Sequence, residues 1–147
     1  MTYALTEVSG SKENPTTIHI LAGDSVSPQE TFPINLNSHV SSHGSTHPSQ
    51  PTTIDGKDLE AQLIYGKDVV GVELSHLVLQ KTDGGNSNKG GAIYLEGSSV
   101  TIKKNRLEGH QQHTHGGAIY ALGSSINLLD NTISNNQAAD GGGLYLF

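Results

Sequence analysis

An all-β solenoid of about four to five short coils, with a short helix capping its N-terminal end, is the fold class that this sequence predicts. Three observations predict it. One phrase recurs as GGAIYLEGSSVTIKKNRLEG from Gly90, GGAIYALGSSINLLDNTISN from Gly116 and GGGLYLF from Gly141, at spacings of 26 and 25 residues. A period of that size is one coil of a repeat whose apolar face is buried only by stacking on its neighbours. Aromatic residues make up only 5% of the 147 residues and tryptophan is absent, which suits a narrow core of stacked Ile, Leu and Val. The eighteen glycines follow no G-X-Y register and cluster at the start of each copy, where they mark turns.

Along the chain, residues 1–8 put Ala4, Leu5 and Val8 on one face of a two-turn helix. So short a helix needs docking, and laying it over the open end of a solenoid hides unpaired strand edges. Thr17 to Leu21 alternates as a strand that Gly23 and Asp24 end. Phe32 to Asn37 follows as a strand, with Ile34 and Leu36 on one face and Pro33 tolerated at its start. Val40 leads into a polar loop, SSHGSTHPSQP, and Thr53 and Ile54 begin a short strand closed by Asp55-Gly56. From Leu63 the repeat proper begins. Aligning Ile64-Tyr65 with Ile93-Tyr94, and Val72 and Leu74 with Val100 and Ile102, puts the insertions in turns. The inward columns are then Val72, Val100, Ile126; Leu74, Ile102, Leu128; and Leu79, Leu107, Ile133. A further column, Leu77, Asn105, Asn131, places amides where they bond along the axis.

GGAIY followed by V-x-I-x-x-N-x-L resembles the right-handed parallel β-helix repeats of the pectate-lyase-like superfamily. TIHILAGDS, then ETFPINLNSHV and TTIDG, is similar to the opening of a bacterial β-helix family of unknown function. The GGAIY copies also resemble repeats of polymorphic outer-membrane adhesins, with Ile133 where those carry Phe. The resemblance implies a right-handed parallel β-helix, a fold that hosts lyases, hydrolases, esterases and adhesins. Pectate lyases hold calcium with stacked outer acids and use an arginine as base. Here the column of Glu73 continues as Thr101 and Asn127, and the sole arginine, Arg106, stacks between Val78 and Thr132. No complete catalytic constellation is legible, and no catalytic residue or cofactor is assigned.

Strand alternation points Tyr65, Tyr94, Tyr120 and Tyr145 outward, opposite Ile64, Ile93, Ile119 and Leu144. At a coil spacing of ~4.8 Å they form a ladder ~14 Å long. Small neighbours Ala92, Ala118 and Gly143 leave the rings open as a floor on which sugar faces stack. The alternative use of the ladder is ring packing that only stabilises the sheet. Histidines group as His39, His43, His47 and as His110, His113, His115, at spacings that suit imidazole ligation of Zn or Cu. No cysteine joins them. His76, Lys104 and Asp130 align in a column where an ion pair contributes little.

The expectation is therefore non-catalytic recognition of a polysaccharide or glycan on the tyrosine face. Its alternatives are a fragment of a carbohydrate-active lyase or hydrolase, and a structural cell-surface or adhesin module. A net charge of −6 with eight Lys plus Arg offers no basic stripe for nucleic acid. No apolar run reaches membrane-span length, so no membrane insertion is expected. The expected location is extracellular or at the cell surface. Residues 144–147 stop within a strand, so residues 1–147 are expected to be one β-helix domain, either a fragment or a homo-oligomer joined end to end.

Overall fold

The computed structural model of the chain describes residues 1–26, 30–57, 59–83 and 89–147. Among the described residues, one helix, α1 (Thr2–Glu7), is followed by fifteen strands in three parallel sheets of five. Sheet A contains β1 (Thr16–His19), β4 (Val40–His43), β7 (Val72–Ser75), β10 (Ser99–Lys103) and β13 (Ser125–Leu129). Sheet B contains β2 (Gly23–Val26), β5 (Thr52–Asp55), β8 (Leu77–Gln80), β11 (Arg106–Glu108) and β14 (Thr132–Ser134). Sheet C contains β3 (Ile34–Asn35), β6 (Ile64–Lys67), β9 (Ile93–Glu96), β12 (Ile119–Leu122) and β15 (Leu144–Leu146). The chain visits A, B and C in turn, each strand pairing with its counterpart in the next coil, and this makes an all-β parallel solenoid of five coils.

The core is a set of aliphatic columns in register. Val72 pairs Val100 and Val100 pairs Ile126, Leu74 pairs Ile102 and Leu128, and Leu79 pairs Leu107 and Ile133. Ile34, Ile64, Ile93 and Ile119 continue it on sheet C, each fully buried. Each strand is only two to five residues long, so the alternation that fills these columns has to be restarted at every corner.

Corners are made by single left-handed residues. His76, Lys104 and Asp130 sit at φ 56°, 54° and 54° between sheets A and B, and Asp68, Gly97 and Gly123 at 53°, 57° and 53° between C and A. For a residue with a Cβ that conformation costs on the order of 1 kcal/mol, offset here by the paired strands on either side. The next residue turns inward and bonds the coil before it. Asn105 Oδ1 accepts from Leu77 N at 2.9 Å while its Nδ2 donates to the Leu74 carbonyl at 2.9 Å. Asn131 repeats this one coil on, accepting from Asn105 N at 2.9 Å and donating to the Ile102 carbonyl at 2.7 Å. Asn136 does so at the B-to-C corner, accepting from His110 N at 3.0 Å and donating to the Leu107 carbonyl at 3.0 Å. Ser98 and Ser124 serve the C-to-A corner, accepting from Val69 N and Ser98 N. These polar columns satisfy buried amides that no strand partner reaches.

The first coils differ from the sequence expectation. Gly23 and Asp24 open strand β2, whose Gly23 N donates to the Pro51 carbonyl at 3.0 Å. Ser41 to His43, read as loop, belong to β4. Ser42 occupies the inward column beside Leu74, and a polar side chain in an aliphatic column hides the alternation. The strand expected over residues 32–37 narrows to Ile34–Asn35, although Ile34 and Leu36 are both buried as anticipated. Leu5 is buried in the core cluster and α1 lies on β3, with the Asn37 amide donating to the Leu5 carbonyl and the Met1 ammonium paired with Glu30. At the opposite end Ile126, Leu128, Ile133 and Leu144 are partly buried and Phe147 is exposed. Among the described residues, no helix is long and apolar enough to cross a membrane.

Candidate functional site

Sheet C sets the tyrosines in one column: Tyr65 pairs Tyr94, Tyr94 pairs Tyr120 and Tyr120 pairs Tyr145, with Asn35 ahead of Tyr65. Their ring centroids lie 5.4, 5.1 and 5.4 Å apart, tilted by 42°, 25° and 4°. Offset stacking at this spacing is favourable for aromatic pairs. It also turns most ring faces toward one another, so the column presents edges and phenol groups where open faces were expected. Tyr120, in the middle, is only 4% exposed, while Tyr65, Tyr94 and Tyr145 are half-buried.

Loops at the B-to-C corner cover the centre of the row. Lys89 Nζ lies 4.9 Å above the Tyr120 ring and donates to its hydroxyl at 3.3 Å. His115 packs edge-on against Tyr145 at 4.6 Å and sits 3.2 Å from Asp140 Oδ2. On the same outer face Lys67 Nζ pairs with Glu96 Oε1 at 2.9 Å. Burial, then the Glu96 charge, raises the Tyr94 phenol above its usual range, so it remains a neutral donor and acceptor. Ala92 and Ala118, expected as small outward neighbours, are fully buried in the core cluster. Both precede their strands, where the chain enters from the long corner loop and strand alternation does not yet apply.

The histidines do not assemble as their spacing suggested. His110 is fully buried and takes the place of a corner asparagine: its Nε2 donates to the Leu79 carbonyl at 2.9 Å, and its Nδ1 accepts from the Thr82 hydroxyl at 2.9 Å. Burial pushes its pKa down to about 4. His113 is exposed and His115 belongs to the tyrosine row. His39 is a left-handed corner residue at φ 60°, and His47 lies in a loop with its Nδ1 3.1 Å from the Ser49 hydroxyl.

His43 faces outward on sheet A, its Nε2 2.6 Å from Glu73 Oε1. The second Glu73 oxygen accepts from Lys103 Nζ at 2.8 Å. Burial raises the Glu73 carboxyl, but Lys103 and His43 outweigh it and hold it below its usual value. His19 and His76 flank His43, with ring centroids at 5.7 and 6.4 Å. This row escaped sequence reasoning because it depends on the register of β1 with β4, which pairs His19 with His43 across a coil that has no GGAIY phrase. Among the described residues, no group of three or more His, Cys, Asp and Glu is arranged to hold a metal ion.

His76, Lys104 and Asp130 do form a column, as corner residues. No ion pair joins Lys104 to Asp130 among the described residues, and both side chains are exposed. Arg106 stacks between Val78 and Thr132 as expected, and its Nε pairs with Glu108 Oε1 at 3.2 Å.

Comparison of the chain with protein-family models, curated proteins and solved structures finds no match. The parallel solenoid is the architecture that the resemblance implied, and no family model places the chain in the pectate-lyase-like superfamily.

Proposed function

We propose that this protein recognises a polysaccharide or other glycan, without turning it over, along the tyrosine-bearing outer face of sheet C. The observation that carries the reading is the register of Asn35, Tyr65, Tyr94, Tyr120 and Tyr145, one polar side chain per coil in a straight column. Groups repeating every ~4.8 Å suit a chain ligand whose hydroxyls also repeat, rather than a compact one. Mutual stacking holds the rings in place, so little side-chain freedom is lost on binding. Phenol hydroxyls and ring edges then bond sugar hydroxyls, with Lys67 and Glu96 beside them on the same face. The carboxylates beside the row, Glu96 and Asp140, each contact a basic group, which favours binding over turnover. A glycan ligand agrees with action outside the cell or at its surface, which belongs to the same proposal.

A glycan array run with wild type, Tyr65→Phe and Tyr94→Phe tests it, alongside lyase and reducing-sugar assays on every glycan bound. Phenylalanine keeps the stack and removes the hydroxyl, so the expected result is weaker binding with an unchanged melting curve. Equal binding by the phenylalanine variants, or no glycan bound at all, contradicts the reading. Release of unsaturated products or new reducing ends replaces it with catalysis.

A further inference from the structure

The second coil carries a loop that its successors lack. Sheet A passes to sheet B through residue 76 in the third coil and through residue pairs 104–105 and 130–131 in the next two, but through residues 44–51 in the second. This loop is tied to itself and to the solenoid. Ser45 N donates to the Thr52 hydroxyl at 2.8 Å, Gln50 N to the His47 carbonyl at 3.1 Å, and Gly44 N to the Ser75 carbonyl at 2.8 Å. At its root a Cβ on Gly44 would lie 2.2 Å from the His76 carbonyl oxygen, so only glycine lets the loop approach. The loop walls a groove of about 310 Å³ whose floor is the A-to-B corner of the coils that follow. That volume lies at the lower end of the range for small-ligand sites.

The charges on this floor are ordered along the axis. His76, Lys104 and Asp130 occupy the same corner position in successive coils and all line the groove, together with Arg106. Lys104 Nζ has no carboxylate within 4.0 Å among the described residues. Arg106 pairs with Glu108 through its Nε and is half exposed. Lys104 and Arg106 against Asp130 leave the groove lining one positive charge in excess, in a chain with fourteen Asp plus Glu against eight Lys plus Arg. Burial, then the Lys104 and His43 charges, keeps His76 toward its neutral form.

We infer that this groove binds an acidic glycan in which uronate sugars alternate with uncharged ones. Lys104 and Arg106 together accept one carboxylate, by charge-assisted hydrogen bonds from the ammonium and from the free guanidinium nitrogens. One coil further, Asp130 meets uncharged hydroxyls and repels a second carboxylate; one coil back, the His76 imidazole does neither. Pro48, Pro51 and Val78 give apolar surface to sugar C–H faces, and Ser45, Thr46 and Thr132 supply hydroxyls. A uniformly acidic polymer sets an anion against Asp130, and a neutral one leaves Lys104 without a partner. The groove lies on the A-to-B corner, away from sheet C, and needs none of the tyrosines.

Calorimetric titration with three oligosaccharides of equal length tests this: one alternating uronate with N-acetylhexosamine, one all uronate, one neutral glucan. The alternating probe should bind tightest and weaken as salt is raised. Lys104→Asn and Arg106→Gln should each weaken it by about tenfold, and Asp130→Asn should bring the all-uronate probe up to the alternating one. Asparagine tolerates the left-handed corner, so both corner variants keep the fold. Sensitivity of the calorimetric binding to Lys104→Asn and Arg106→Gln reads the groove, and loss of array binding in Tyr65→Phe and Tyr94→Phe reads the tyrosine face, so failure of one is distinguishable from failure of the other. Equal binding of the three probes, no binding of any at millimolar concentration, or indifference to the Lys104 and Arg106 substitutions overturns the inference.

Discussion

Replacing His110 by asparagine should make the solenoid less sensitive to acid. His110 fills the position that Asn105, Asn131 and Asn136 fill elsewhere, bonding an amide-side group and a carbonyl of the preceding coil three residues apart in the chain. Among these inward corner residues it alone is titratable. It is fully buried, and that burial lowers its pKa from the usual 6.5 to about 4. The unfolded chain therefore binds the proton first as the pH drops. The stabilisation is complete above about pH 6.5 and is lost as the pH falls toward 4, to a total of about 3 kcal/mol. Between pH 7.5 and pH 5 the same linkage removes about 2 kcal/mol. Asp55 and Glu73, whose carboxyls are held below their usual values, begin to lose their stabilisation only beneath that window. His76 contributes in the same direction but is present in both proteins. Urea unfolding of wild type and His110→Asn at the two pH values reads the difference directly. The variant should lose about 2 kcal/mol less than wild type over the interval. Parallel losses would refute the assignment of His110 as a neutral corner residue.

Three further predictions follow from packing. Asn105→Leu should cost about 1 to 3 kcal/mol for each group it orphans, among them Leu77 N and the Leu74 carbonyl, and a thermal melt coincident with wild type would contradict the asparagine column. Tyr120→Ala removes the buried centre of the ring stack and should cost about 3 kcal/mol, several times the loss from Tyr65→Ala at its half-buried end, as measured by urea unfolding. Gly44→Ala forces the loop root off the His76 carbonyl and should lower the melting temperature, while leaving any glycan bound on sheet C in place.

The sequence made the repeated half legible because Val100, Ile102 and Leu107 each have an aliphatic counterpart 28 residues before and 26 after, and the register pairs them so. It hid the first coils, where Ser42 stands in an aliphatic column and strand β4 looks like loop. The tyrosine column was legible and its geometry was not. Alternation assigns a side chain to a face, but whether neighbouring rings open outward or stack depends on coil spacing and on loops that supply Lys89 and His115. His110 was read as a member of a histidine cluster; its alignment with Asn136 at the repeat period was the available signal that it caps a corner. The corner groove was invisible because it joins loop 44–51 to residues one to three coils away.

Amide and side-chain chemical-shift mapping during titration with a glycan selected on the array tests the central claim most directly. The account predicts shifts along the outer face of sheet C, with Tyr65, Tyr94 and Tyr145 moving together and inward residues such as Ile93 and Ile102 unmoved. Shifts scattered over the surface, or confined to sheets A and B for neutral and acidic glycans alike, would contradict it.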